Sequence, residues 1–248
     1  MKLGIIVINL DRSPERLANV AAQLDALGLA WERLPAVDGK NPAHAPRLAA
    51  YSPALNRRIF HRQLSPGEQA CYASHRLAWQ RILDAGWDGA IVLEDDMDFA
   101  PNFPDALAAL AANPGKWDAL KLMSPTPRTI LSRTPLDAAG RWQLGDYLKT
   151  PIMAAAHALT ADAARRLLAA TKCFGRPVDT EVQWWWETGV RFRALLPYPV
   201  TINAVTSGAS ALRGHRGGRH RFYKFLKFRQ QLAYNAQIYL RALFRRRP

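Results

Sequence analysis

An apolar, β-branched run at residues 3–10 reads as a strand. It breaks at Asp11-Arg12-Ser13-Pro14-Glu15-Arg16, where Ser13 can cap a helix that begins on Pro14. Leu17, Val20, Ala21, Leu24 and Leu27 then recur at helical spacing until Gly28, and residues 30–34 alternate as a second strand. A β-α-β unit is therefore complete by about residue 37. Residues 38–63 are rich in Pro, Ala and Arg with weak periodicity, which predicts a long excursion or lid instead of a regular layer. Ser65-Pro66-Gly67-Glu68 has the form of a capping box, and the apolar stripe behind it predicts a helix over about 66–84. Ala90-Ile91-Val92-Leu93 is wholly apolar, as a central strand covered on both faces would be, and it runs straight into Glu94-Asp95-Asp96-Met97-Asp98. A helix near 103–112, a strand near 118–123, a Pro-rich irregular stretch to about 150, a strand near 152–159 and a helix over 160–171 continue the alternation. Strands alternating with helices give an α/β sheet whose ligands collect at strand carboxyl ends.

The chain has 248 residues, 49% of them hydrophobic, enough to bury a full core. Its formal charge of +14 is unevenly placed: residues 188–248 hold 13 Lys and Arg and no acid, which leaves the preceding body close to neutral. Two cysteines, Cys71 and Cys173, are too few for a disulfide framework, so a reducing compartment is the expectation. The N-terminal apolar run meets Asp11 and Arg12 without a cleavage-like site, and no stretch approaches the roughly 18 apolar residues of a membrane span. A soluble body with any membrane contact made from its surface follows as an expectation.

Three constellations carry chemistry. Carboxylates crowded after a buried strand suit a divalent cation with positions left open for substrate phosphates; the alternative is a solvated acidic turn. Alternation along an extended chain puts Glu94 and Asp96 on one side and Asp95 on the other, so Glu94 and Asp96 form the joint ligand pair. On the preceding helix, Glu68, Tyr72 and His75 share a face beside Cys71 and Ser74. A lone His75 on such a face also fits a satisfied core histidine, and Cys71 fits packing. Asp179 and Glu181 precede Trp184-Trp185-Trp186, where sugar rings could stack while a carboxylate takes a hydroxyl proton; the same residues fit a capped helix start with a tryptophan core.

Asn9-Leu10-Asp11-Arg12-Ser13-Pro14-Glu15-Arg16, Ala36-Val37-Asp38-Gly39, Leu64-Ser65-Pro66-Gly67-Glu68 through Ser74-His75, Leu93-Glu94-Asp95-Asp96 and Pro177-Val178-Asp179 occur in this order. The ordered set resembles glycosyltransferase family 25, the lipopolysaccharide and lipooligosaccharide glycosyltransferases that also include collagen galactosyltransferases. The resemblance implies an α/β, GT-A-type (Rossmann-like) nucleotide-sugar fold with a mixed central sheet, a divalent metal, usually Mn²⁺, and a UDP-activated hexose donor. It places Asp96 on the metal, and Glu94 on the metal or the donor ribose. Asn9, Arg12, Arg16 and Asp38 would line the nucleotide end, with Ser74 and His75 on the neighbouring wall. The implied chemistry is inverting, with galactose the first choice of sugar and UDP-glucose or a protein-linked glycan acceptor the alternatives. Asp179 is assigned as general base and Glu181 as fallback by inference from the chemistry, not from the family pattern. Residues 45–63 and 125–150 match nothing in that pattern.

Residues 213–248 are set apart as a second unit from a transferase domain over 1–212. Gly214, Gly217 and Gly218 lead into a predicted basic amphipathic helix, 219–244, rich in interfacial aromatics such as Phe222, Phe225, Phe228 and Tyr239. Such a helix suits an anionic membrane surface, with a solvated face as the plain alternative and nucleic acid not expected for want of any recognition motif. Together these readings expect a cytoplasmic enzyme, peripheral on the inner face of the inner membrane, acting on a lipid-linked oligosaccharide. A non-catalytic lipid- or nucleic-acid-binding protein is the competing class.

Overall fold

The structure is a computed structural model that describes residues 1–203 and 221–244; the proposed boundary at 212/213 and the glycines at 214–218 lie outside the described residues. The apolar run forms β1 (Leu3–Asn9), buried from Gly4 onward, and the helix behind it is α1 (Pro14–Ala26), followed by β2 (Glu32–Pro35). Residues 38–63 are not an irregular excursion. They carry a 3-10 helix, Pro42–Leu48, and a short α2, Pro53–Ile59. Each begins on a proline behind a capping side chain, Asn41 accepting from the Ala43 N–H and Ser52 from the Leu55 N–H. The proline-rich punctuation is thus helix-start chemistry, which weak apolar periodicity concealed. Buried Asn56 fastens the segment to the body by donating to the carbonyls of Arg62 and Gly175 at 2.9 and 2.7 Å.

α3 (Pro66–Asp84) opens with the expected capping box: the Ser65 hydroxyl accepts from the Glu68 N–H and the Glu68 carboxylate from the Ser65 N–H. β3 (Gly89–Glu94) follows, then a two-residue turn, β4 (Met97–Phe99), α4 (Phe103–Ala112) and β5 (Ala119–Lys121). The stretch to residue 150, expected to be irregular, contains a hairpin of β6 (Ile130–Pro135) and β7 (Gln143–Tyr147). β6 is exposed along nearly its whole length, so it lacks the apolar pattern from which a strand is recognised. β8 (Ala156–Thr160) starts later than expected and leads into α5 (Ala161–Ala170). Two four-residue helices, α6 (Val178–Glu181) and α7 (Trp185–Thr188), then β9 (Phe192–Leu196), β10 (Val200–Ile202) and α8 (Arg221–Phe244) complete the chain.

Eight strands form one mixed sheet in the order β2-β1-β3-β8-β5-β9-β7-β6, and β10 pairs with β4. β1 is parallel to β2 and β3, whereas β8 is antiparallel to both β3 and β5. The amino end of β8 therefore lies at the edge where β1, β3 and β5 end. Side chains on one face, among them Ile5, Val7, Ile91, Leu93 and Leu120, pack with Leu24, Phe103 and Leu110. Those on the other, among them Ile6, Ile8, Val92 and Leu159, pack with Trp79, Ile82, Ala163 and Leu167. Each large aliphatic buried in these layers contributes on the order of 1.5–3 kcal/mol. α8 lies on the body through Tyr234 and Ile238, with the Tyr234 ring 5.4 and 6.0 Å from those of Trp184 and Trp186.

Candidate active site

Alternation decides which way each acid points. Glu94 shares the face of Val92, and Val92, His157 and Lys121 form one cross-strand row over β3, β8 and β5. Glu94, His157 and Lys121 accordingly project toward α3, whose buried face carries His75. Asp95 points the opposite way: its carboxylate accepts from Asn9 Nδ2 at 2.7 Å and from Arg16 at 3.1 Å. Burial raises the Asp95 pKa in spite of these donors. Asp98 is also engaged, accepting from Gln23 at 3.1 Å and Asn203 at 2.8 Å.

Asp96 differs from both. Its Oδ1 is buried and receives no hydrogen bond among the described residues. Desolvation first, and the neighbouring Glu94 charge second, push its pKa up to about 6. Two hard carboxylates at a strand end, one with an orphaned oxygen, match the donor set a divalent cation requires. Cys71, His75 and Glu94 also bring ligand atoms within 4.8 Å of one another. Burial, reinforced by Glu94 and Asp179, raises the Cys71 thiol well above its ordinary value and keeps it neutral, so the oxygen pair is the better fit.

His75 is almost fully buried, and its Nε2 lies 3.2 Å from Glu94 Oε1. An ionised carboxylate only accepts, so Nε2 carries the proton, leaving the buried Nδ1 without a hydrogen-bond partner among the described residues. Ser74, its neighbour, is committed to structure: Oγ accepts from the Val37 N–H and donates to the Ala70 carbonyl, both at 2.8 Å. That bolt seats residues 37–39 on the start of α3, where a Cβ on Gly39 would collide with the Pro66 carbonyl oxygen. Asp38 in the same loop is paired with Arg12. Asn9, Arg12, Arg16 and Asp38 are thus gathered around the carboxyl end of β1, together with Arg33, which donates to Asn9 Oδ1 at 3.0 Å.

Asp179, at the start of α6, faces this cluster. Burial raises its pKa, with Glu94 adding to the rise and Lys121 and His75 opposing it. Glu181, two residues on, is held in a buried ion pair with Arg176 at 2.8 Å, and Arg176 also reaches Glu187 and lies over the Trp184 ring at 4.1 Å. Its carboxylate therefore neutralises a buried cation, whereas Asp179 has no such counter-ion bonded to it among the described residues. The tryptophans form a half-buried cluster against α8, with Trp184 and Trp186 rings 5.1 Å apart.

Lys121 and His157 were not singled out from the sequence. The signal available was one ionisable residue inside each otherwise apolar strand run, Ala119-Leu120-Lys121-Leu122 and Ala155-Ala156-His157-Ala158. His157 is held neutral by burial, its Nδ1–H donating to the Ala154 carbonyl at 2.7 Å and its Nε2 accepting from Trp79 at 3.3 Å. The Lys121 ammonium donates to the carbonyl of Met153, a residue at φ 91°, and lies 4.9 Å from the Phe192 ring centre. Burial lowers the Lys121 pKa to about 7, against the pull of Asp179 and Glu94. An unfolded lysine binds its proton to near pH 10.4, so between about pH 7 and 10 the unfolded state holds more protons and this group makes stability rise with pH. Lys121→Met is expected to flatten that rise in thermal midpoint between pH 7 and 9.5; parallel curves for the two proteins would refute the burial of a titrating ammonium.

Residues 2–182 match the family described as glycosyltransferase family 25 (LPS biosynthesis protein). A glycosyltransferase 25 family member of Aedes aegypti is 30% identical over 154 residues, covering 57% of this chain and 25% of that protein. Its counterpart in Drosophila pseudoobscura pseudoobscura is 35% identical over 103 residues, covering 40% of this chain and 16% of the relative. The human protein named inactive glycosyltransferase 25 family member 3 is 30% identical over 179 residues, 66% of this chain and 28% of its own length. The chain spans about a quarter or less of the insect relatives it matches. The solved structure of mannose-1-phosphate geranyltransferase from Thermus thermophilus aligns at 15% identity with a TM-score of 0.36, over 81% of this chain and 76% of that one.

Proposed function

Because the chain belongs to glycosyltransferase family 25, we propose that it is a metal-dependent, inverting transferase that moves a hexose, galactose as first choice, from a UDP-sugar to a lipid-linked oligosaccharide. One observation carries the reading: the orphaned Asp96 carboxylate beside Glu94, with the desolvated Asp179 close enough to Glu94 to feel its charge. A GT-A-type arrangement is supported by the mixed sheet and by the acids at the end of its central strand.

In this proposal Glu94 and Asp96 hold the divalent cation, whose chemistry is to neutralise charge on the departing diphosphate. Asp95, fixed by Asn9 and Arg16, sets the turn so that its two neighbours face the substrate. Asp179 takes the proton of the acceptor hydroxyl as that oxygen bonds to the anomeric carbon and the bond from that carbon to the diphosphate oxygen breaks; UDP leaves and the anomeric configuration inverts. His75 holds Glu94 in place through its Nε2–H, and buried Lys121 lies within electrostatic reach of both Glu94 and Asp179. Calorimetry with UDP is expected to show micromolar binding with Mn²⁺ and none in EDTA. A folded sample that ignores UDP in both conditions would overturn the donor assignment, and a screen of UDP-galactose against UDP-glucose on glycan acceptors separates the donor alternatives.

The membrane part of the reading rests on α8. Phe225, Phe228, Leu232 and Tyr239 are 58, 66, 58 and 59% exposed, on the side opposite buried Tyr234 and Ile238. The helix thus has two apolar faces, one spent on the body and one open, in a 61-residue segment that has 13 cations and no acid. Among the described residues no helix is long and apolar enough to cross a membrane. An anionic leaflet matches both the charge and the interfacial aromatics. Cosedimentation with phosphatidylglycerol vesicles is expected, weakened at least tenfold in Phe228→Ser/Leu232→Ser; equal binding by the double variant, or equal binding to neutral vesicles, would refute it.

A further inference from the structure

The helix α8 does more than present an outward face. Its inner side builds one wall of a cleft of about 150 Å³, whose other walls come from the end of α2 and from α6. Gln230 locks the wall in position: its amide nitrogen donates to the Ile59 carbonyl, and its amide oxygen lies 2.7 Å from His61 Nδ1. Tyr234 completes the attachment among the tryptophans, and Lys149 lies 4.7 Å from its ring centre on the other flank.

The lining mixes aromatic surface, from Phe60 and Trp184, with amides and hydroxyls, from Gln183, Gln231 and Thr180, and among the described residues includes no carboxylate. That composition discriminates among ligand classes. A phosphorylated ligand would need several cations, and among the described residues the lining offers Lys227 and His61, whose pKa burial lowers. A hydrocarbon would leave the amides without partners. A sugar ring satisfies both halves, with C–H faces for the aromatics and hydroxyls that donate and accept for the amides. The volume is roughly half of the ~300 Å³ at which drug-sized sites begin, which suits one ring and not a chain.

Position supplies the second argument. Thr180, on the cleft wall, directly follows Asp179, and Ile152, also on the wall, directly precedes Met153, whose carbonyl is held by Lys121. The cleft therefore adjoins the acid cluster through two segments at once. We propose that it is the subsite for a neutral pyranose of the acceptor, and that α8 is a wall of the acceptor site as well as a membrane-facing element. The proposal rests on the glycosyl-transfer reading for the word acceptor, but sugar binding itself can be measured without turnover.

Gln231 is the probe position, because its side chain is exposed and bonds only within α8, to Asn235 at 3.0 Å, so the fold does not depend on it. Gln231→Trp fills the cleft and Gln231→Ala removes an amide. Saturation-transfer NMR with methyl β-galactoside, methyl β-glucoside and methyl N-acetyl-β-glucosaminide, in the absence of nucleotide, is expected to give a signal with at least one glycoside that Gln231→Trp abolishes. With the p-nitrophenyl glycoside of the same sugar as acceptor, KM is expected to rise at least tenfold in Gln231→Trp and severalfold in Gln231→Ala, with KM for the UDP-sugar within twofold. No glycoside signal in the wild-type chain, an unchanged acceptor KM in both variants, or a UDP-sugar KM that rises in step would overturn the subsite. A glycoside signal lost in Gln231→Trp from a chain that turns over no UDP-sugar would support the subsite while sinking the transferase reading.

Discussion

Asp179→Asn is expected to lower kcat for glycosyl transfer by about 10³-fold, within the range that general-base catalysis supplies. The substitution keeps the shape of the side chain, so the packing of α6 and the tryptophan cluster survives. What disappears is a buried carboxylate within electrostatic reach of Glu94, Lys121 and His75, whereas Glu181 is spent on Arg176. Burial makes the Asp179 carboxylate hold a proton more tightly than an exposed one, which is the property a base needs against a sugar hydroxyl. The same burial penalises its charge, so the variant is expected to melt no lower than the wild type. The acid limb of the wild-type pH profile should lie above the ordinary carboxylate range and be absent from the variant's residual activity. Steady-state kinetics with saturating donor tests this; a loss below tenfold, or a rise in donor KM that accounts for the whole effect, would remove Asp179 from the role.

Asp96→Asn should produce an equally large loss of transfer, together with a gain in stability when metal is absent. An ionised carboxylate with an orphaned buried oxygen, next to Glu94, is an unfavourable feature of the metal-free fold. Making it neutral relieves a cost of about 1–2 kcal/mol after allowance for its partial exposure to water. For a chain of this size that is about 2–8 °C in thermal midpoint. In EDTA the variant is expected to melt above the wild type. Added Mn²⁺ should raise the wild-type midpoint by linkage and leave the variant's unmoved. Equal Mn²⁺ shifts in both proteins would place the cation elsewhere, the Cys71, His75 and Glu94 group being the next set to probe. On this reading the buried Asp96 charge lowers the stability of the unliganded fold and is offset when the cation binds.

The candidate site was legible where a local rule acts within a few residues. The Ser65 and Glu68 box, the run from residue 3 ending at Asn9, and the acids after Leu93 each carry their own signal, and alternation separated Asp95, bonded to Asn9 and Arg16, from Glu94. Lys121 and His157 were not legible, because their importance comes from register: only the insertion of antiparallel β8 between β3 and β5 puts them in one row with Val92, next to Glu94. The roles of Ser74 and Glu181 likewise depend on partners 37 and 5 residues away that periodicity does not reveal. Asn41-Pro42 and Ser52-Pro53 were legible in principle as helix starts, but without apolar stripes behind them they read as loop. The contribution of α8 to the cleft arises from contacts such as Gln230 with Ile59, 171 positions apart.

The two outer strands of the sheet share a feature that bears on how the protein behaves in concentrated solution. β2 carries Arg33 and ends on Pro35, while β6 carries Arg133, ends on Pro135 and has an irregular register between Ile130 and Ser132. An unpaired strand edge is otherwise a template for another chain, and a charged side chain, a missing amide hydrogen and a broken register each spoil it. Both open ends of an eight-stranded sheet are closed to further strand addition in this way. Many copies in concentrated solution can therefore meet with less risk of the sheets fusing edge to edge.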